Sequence, residues 1–152
     1  MVGTGGGDRW VYNETMNLDS HFNYWNTRYD DFDRAFGPQC KDVFSRYNKE
    51  FFGNPYLKGN AIQLWNNLTV QKYYTQIKNS LTFIPRKGDV AIFNSTLKNP
   101  YGHVSICTGN GNWLWFQSFD QNFPLGTPCH FQNHNYLSPR LLGVLRPKIN
   151  VG

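Results

Sequence analysis

The sequence predicts an α+β domain, with helices in its first half packed on an antiparallel β-sheet from its second half. Three observations carry that expectation. Apolar residues recur at three- and four-residue spacing between residues 38 and 52, the period of one helix face. From residue 89 onward, short apolar runs alternate with Gly, Asn and Pro clusters, the pattern of strands and turns. The 152 residues contain no internal repeat and no dividing linker, and they suffice for one domain with a buried core.

The elements follow in order. Residues 1–20 read as a glycine-rich arm that docks through Trp10 and Tyr12, and residues 21–148 as the domain itself. Residues 21–36 mix aromatics with Asp and Asn and predict a short helix or loop. A helix is expected from Pro38 to about Phe52, because proline suits a first turn and Cys40, Val43, Phe44, Tyr47 and Phe51 share one face. Gly53-Asn54-Pro55 ends it. Asn60 is placed as the cap of a second helix with Ala61, Leu64 and Trp65 facing inward. The polar stretch 66–84 holds a third short helix over residues 70–77. Strands are then expected at Asp89–Phe93, His103–Thr108, Trp113–Phe119 and Leu141–Arg146. Asn99–Gly102 and Gly109–Asn112 supply turns between them.

Composition narrows the function classes. Charged residues are 16% of the chain, below the usual quarter or so, while aromatics reach 17%. The net charge of +5 and pI of 9.2 favour an anionic partner. No Lys/Arg run and no nucleic-acid-binding motif occurs, so charge and aromatics alone motivate a nucleic-acid reading, the weakest of three. No segment approaches the apolar length of a membrane span. The N-terminus lacks the basic and apolar regions of a signal peptide. Cys40, Cys107 and Cys129 are too few and too scattered for a disulfide framework or zinc knuckle, and reduced thiols are the simpler reading of an open Cys107–Cys129 question.

The chemistry concentrates in two places. Cys40 stands at a predicted helix start, where the helix dipole favours a thiolate. His103 opens a strand after a glycine turn, so a separate element delivers an imidazole able to take and return a proton. A lone cysteine on a helix face is ordinarily a small buried hydrophobe. Its place after Gly37-Pro38-Gln39 separates Cys40 from that background, as the glycine turn separates His103 from His21, His130 and His134, which are taken as bystanders. Cys107 and Cys129 are expected to pack. One pair from the alternating Trp113, Leu114, Trp115 and Phe116 is free to line a groove against sugar or peptide.

Five segments in order resemble the CHAP family, the cysteine- and histidine-dependent amidohydrolases/peptidases of papain-like fold. They are Gly37–Asp42, Gly59-Asn60-Ala61 with Trp65, Pro85–Phe93, Tyr101–Ile106 and Phe119–Phe123, within residues 21–147. The look is that of catalytic domains of bacteriophage endolysins and virion-associated wall hydrolases. The resemblance implies Cys40 as nucleophile, His103 as general base and acid, and Asp120 as orienter at a position often held by Glu. Asn122 matches a further polar position that orients the imidazole or contacts the intermediate, and Gln39 adds an oxyanion donor. It also implies bacterial peptidoglycan as substrate and a monomer with a C-terminal wall-binding domain beyond this chain. Synthesis would be in a host cytoplasm, with action at the wall or from the virion. A non-catalytic wall- or carbohydrate-binding module, with Cys40 merely packed, is the alternative from another class.

A calcium site is the last expectation. Asp31, Asp33 and Asp42 fall at positions 1, 3 and 12 of a twelve-residue stretch, as carboxylate ligands do in an EF-hand loop, and the backbone carbonyls of Ala35 and Gly37 add oxygens. Phe36 stands where that loop has glycine, so this is no ordinary EF-hand. Some phage CHAP domains carry calcium just before the nucleophile, and this stretch looks like theirs. The plain alternative is that Asp30, Asp31 and Asp33 form a solvated turn and Asp42 favours a helix N-terminus.

Overall fold

The computed structural model describes residues 17–137 and 140–149. Helix α1, Leu18–Trp25, is capped by Asn17, whose side chain accepts the Ser20 N–H at 2.8 Å. Leu18 and Phe22 are buried, and Phe22 packs on Phe119 with ring centroids 4.8 Å apart. The helix thus begins inside the stretch read as an arm. The expected docking of Trp10 and Tyr12 lies outside the described residues.

Helix α2, Cys40–Phe52, starts two residues after Pro38, because Gln39 is extended (φ −132°) and serves as the N-cap. Its N–H donates to Asp42 Oδ2 at 2.9 Å. Val43, Phe44 and Tyr47 are buried along the predicted face, and Gly53 closes the helix at φ 64° with its N–H on the Lys49 carbonyl. The expected helix at Asn60 is only a 3₁₀ turn, Ile62–Leu64, entered through the Gln63 side chain, which accepts the Asn60 N–H at 2.7 Å. The expected helix over 70–77 is a 3₁₀ turn, Val70–Lys72, followed by strand β1, Tyr74–Lys78. Sheet pairing overrides helical spacing there: residues 74–78 lie antiparallel to residues 143–147.

The remaining strands are β2 (Val90–Phe93), β3 (His103–Gly111), β4 (Trp115–Asp120), β5 (His130–Asn135) and β6 (Leu141–Pro147). They form one antiparallel sheet in the order β1-β6-β2-β3-β4-β5. β3 runs through the expected turn to Gly111, and Asn112 turns the chain instead by accepting the Leu114 and Trp115 N–H groups. β5 escapes prediction because His130-Phe131-Gln132-Asn133-His134-Asn135 has almost no apolar period.

Alternation along the strands gives two packed faces. Val90, Ile92, Val104, Ile106, Phe119 and Leu145 join α1 and α2 in the larger core. Ala91, Phe93, Cys107, Phe116 and Val144 form a smaller one on the other face. Cys107 and Cys129 belong to different clusters, and all three cysteines are free thiols. No helix among the described residues is long and apolar enough to cross a membrane.

Candidate active site

Capping places Cys40 at the first position of α2, where it is half-buried. It lines a groove of about 450 Å³ with Phe36, Gln39, Tyr56, Asn60 and Tyr101. His103 comes from the sheet. Gly102 before it adopts φ 71°, and a Cβ there would lie 2.6 Å from the Phe93 carbonyl oxygen, so the turn that delivers the imidazole needs glycine. The ring is buried and stacks on Phe123 at 4.4 Å. Its Nε2 lies 2.6 Å from Asp120 Oδ2, which leaves Nδ1 for the hydrogen bond with Cys40.

Asp120 closes β4 with no exposed surface. Short as its side chain is, it reaches the imidazole directly. Its Oδ1 accepts the Ser118 hydroxyl at 2.5 Å, and its Oδ2 also meets His134 Nε2 at 3.0 Å. Burial works against charge on both partners, yet the hydrogen bonds win. Those to Asp120 and Cys40 push the His103 pKa up to about 9. Those from His103 and His134 hold the Asp120 carboxyl well below the usual carboxylate range.

The structure corrects the reading of His134 as a bystander: it is 4% exposed, lies on β5 against Phe93 and Phe116, and bonds the candidate orienter. Asn122 does not approach this pair through any hydrogen bond among the described residues. It sits at φ 61° and its Oδ1 accepts the Gly126 N–H at 2.6 Å, which is a turn-building task. Gln39 is at the groove, but its amide donates to the Phe36 carbonyl at 3.2 Å.

Gln121 is a second residue that motif reading passed over. Fully buried, its Nε2 donates to the carbonyls of Asp30 and Gln39 at 2.8 Å each, and its Oε1 accepts the Asp30 N–H at 2.6 Å. The residue after Asp120 thereby holds both ends of the loop that leads to Cys40. Its only sequence signal was that adjacency.

That loop, residues 30–39, is acidic. Carboxylate oxygens of Asp31, Asp33 and Asp42 lie within 4.8 Å of one another. Asp31 Oδ1 is buried with no hydrogen-bond partner among the described residues. Burial, with repulsion from Asp33 and Asp30, raises the Asp42 pKa to about 7 against the hydrogen bonds from Gln39 and Asp33. Ala35 and Gly37 belong to the same turn, where Asp33 Oδ1 accepts the Ala35 N–H and Arg34, Phe36 and Gly37 take positive φ. Such a set of hard oxygens suits a cation like calcium. Asp30 is not part of a solvated turn: it is 2% exposed and paired with the Arg46 guanidinium at 2.9 and 3.0 Å.

The CHAP domain family model matches residues 28–122. Endolysin LysK of Staphylococcus phage K is 29% identical over 99 residues, 61% of this chain and 19% of LysK. The crystal structure of wild-type endolysin LysIME-EF1 superposes with a TM-score of 0.73 at 30% identity, covering 88% of this chain and 65% of that one. Ly7917 superposes with a TM-score of 0.64 at 14% identity over 87% of this chain and 62% of its own, a likeness of fold alone. The chain thus spans less than two thirds of the length of any of the three.

Proposed function

The chain belongs to the CHAP domain family, and from that premise we propose that it is an endolysin-type peptidoglycan hydrolase that cuts an amide bond of wall peptide through a Cys40 thioester. The observation that carries this reading is the buried His103–Asp120 pair hydrogen-bonded to a half-exposed thiol on a groove. The Cys40 thiol gives its proton to His103 as its sulfur attacks the carbonyl carbon, and the resulting oxyanion is held by the first N–H groups of α2. Gln39 joins that hole once its amide leaves the Phe36 carbonyl. His103 gives its proton to the departing amine, the C–N bond breaks and the acyl group stays on sulfur. His103 then takes a proton from water, which attacks the thioester and frees the acid and the thiol. Asp120 keeps the imidazole in its Nε2–H tautomer throughout.

The net charge of +5 supports concentration on an anionic wall. The greater length of LysK and LysIME-EF1 supports a separate wall-binding domain working with this one. A non-catalytic binding module would gain nothing from a buried ion pair beneath a reachable thiol, since such pairs are costly to desolvate. A calcium ion held by Asp31, Asp33 and Asp42, with the carbonyls of Ala35 and Gly37, belongs to the same proposal. It would neutralise the crowded carboxylates and take no part in bond making; the support is the partnerless buried Asp31 Oδ1.

The test is Cys40→Ala, which abolishes wall clearing and leaves the circular-dichroism spectrum unchanged. Clearing by that variant overturns the mechanism. Mass spectrometry of fragments released from purified peptidoglycan then fixes the bond. New Gly or Ala N-termini mark an endopeptidase, and free lactyl-muramic ends mark an N-acetylmuramoyl-L-alanine amidase.

A further inference from the structure

Asp120 Oδ2 is shared by two imidazoles, and only one of them belongs to the proposed chemistry. His103 Nε2 stands at 2.6 Å and His134 Nε2 at 3.0 Å, both rings buried. An oxygen bonded to two nitrogens requires that at least one donate, and an ionised carboxylate, which has no proton of its own to give, requires that both do. His134 reaches Asp120 from β5, the strand beyond β4, and no described hydrogen bond links it to the groove. Its ring is clamped by Phe93 (4.8 Å), Phe116 (5.5 Å) and Phe123 (5.9 Å). Phe93 and Phe123 also touch His103, at 5.4 and 4.4 Å, so one aromatic cage fixes both rings.

We propose that His134 is a positioning residue, which donates Nε2–H to Asp120 Oδ2 and thereby fixes the carboxylate that orients His103 and limits how strongly that carboxylate stabilises the protonated His103 ring. An aspartate has one side-chain torsion between Cβ and its oxygens, and Ser118 on Oδ1 with His134 on Oδ2 leaves that torsion no freedom. The second donor also draws charge from the oxygen that faces His103. Without it, Asp120 stabilises the His103 imidazolium more strongly, the ring releases its Nδ1 proton less readily, and proton return to substrate is slower. The titratable groups facing His103 are Cys40 from α2, Asp120 from β4 and His134 from β5, and Cys107 farther along β3 acts on Asp120, its own thiol kept neutral by burial.

The inference rests on the hydrolase reading for its kinetic arm only. Histidine side-chain NMR on the wild-type protein needs no substrate: neutral His134 carries its proton on Nε2. A proton on Nδ1 of the neutral ring overturns the proposal. His134→Phe keeps a ring in the cage and deletes the donor, while His134→Gln keeps a donor of similar reach. The Phe variant loses about tenfold in kcat with KM unchanged, the effect of one hydrogen bond to a charged group. Its His103 titration moves up by about one pH unit, and the Gln variant restores both. An unmoved His103 titration in the Phe variant, or a Gln variant no better than Phe, overturns the role of His134. Activity absent from the wild type too, with the NMR results as expected, would defeat the hydrolase reading and leave this one standing.

Discussion

The two halves of the site are built differently. His103, Asp120, Ser118 and His134 sit on three neighbouring strands, each 4% exposed or less, with every bond among them made inside the sheet. Cys40 sits at the end of a loop with three carboxylates in a cluster, a partnerless Asp31 oxygen and positive φ at Arg34 and Phe36. The base side is fixed by folding. The side of the proposed nucleophile is conditional, because its carboxylates repel one another and the two ends of its loop are tied by the Gln121 side chain. That difference teaches where control of the activity belongs: in the loop, not in the sheet.

After Cys40→Ala, the largest effects fall on the side of the proposed base. His103→Ala removes about three orders of magnitude of wall-clearing rate, the range of a lost general acid–base. Asp120→Asn leaves partial activity, about a hundredfold down, since the imidazole stays in place with a poorer partner. Clearing by His103→Ala at the wild-type rate breaks the assignment of the two sides.

Gln121→Leu sharpens the comparison. Leucine fills the same space but leaves the Asp30 N–H and the Asp30 and Gln39 carbonyls unpaired. Activity falls about tenfold through misplacement of Cys40, while the His103 titration stays where it was. A shifted His103 titration would mean that the two sides are one unit after all.

Chelation acts on the nucleophile side alone. With EDTA the melting temperature falls by about 5–10 °C, as for loss of a ligand present well above its Kd, and clearing slows several-fold. Added calcium restores both, and Asp31→Ala no longer responds. A wild-type protein indifferent to EDTA and an Asp31→Ala variant identical to it remove the ion from the proposal.

The same contrast explains what could be read from the sequence. α2 was legible because an amphipathic period and a Gly-Asn-Pro stop coincide in one short stretch; Cys40 and His103 stood out by their local context, and Asp120 only through the family resemblance. β1 and β5 were not: one has helix-compatible spacing, the other a polar surface, and both exist through pairing with distant strands. His134 was hidden for the same reason, since nothing near it in sequence marks the strand that carries it beneath Asp120. The Asn60 helix failed for a different reason, that a glutamine side chain three residues on took the capping bond and a single 3₁₀ turn sufficed.

The smallest effect is a pH dependence that belongs to the sheet. The His103 pKa lies at about 9 in the folded protein against roughly 6.5 when unfolded, so the folded state binds its proton more tightly. A raised histidine pKa contributes stability that is fully present below about pH 6.5 and lost as pH climbs through about 9. On the order of 2 kcal/mol is at stake after allowing for its coupling to Cys40 and Asp120, a fall in melting temperature of about 4–8 °C. Above about pH 8, where Asp42 is ionised with or without calcium, the fall that His103 produces has the same size in calcium and in EDTA. His103→Gln abolishes it, as the loss comes from that one proton. A fall above about pH 8 that persists in His103→Gln, or that appears only in EDTA, would place that titration in the loop and erase the division between the two halves.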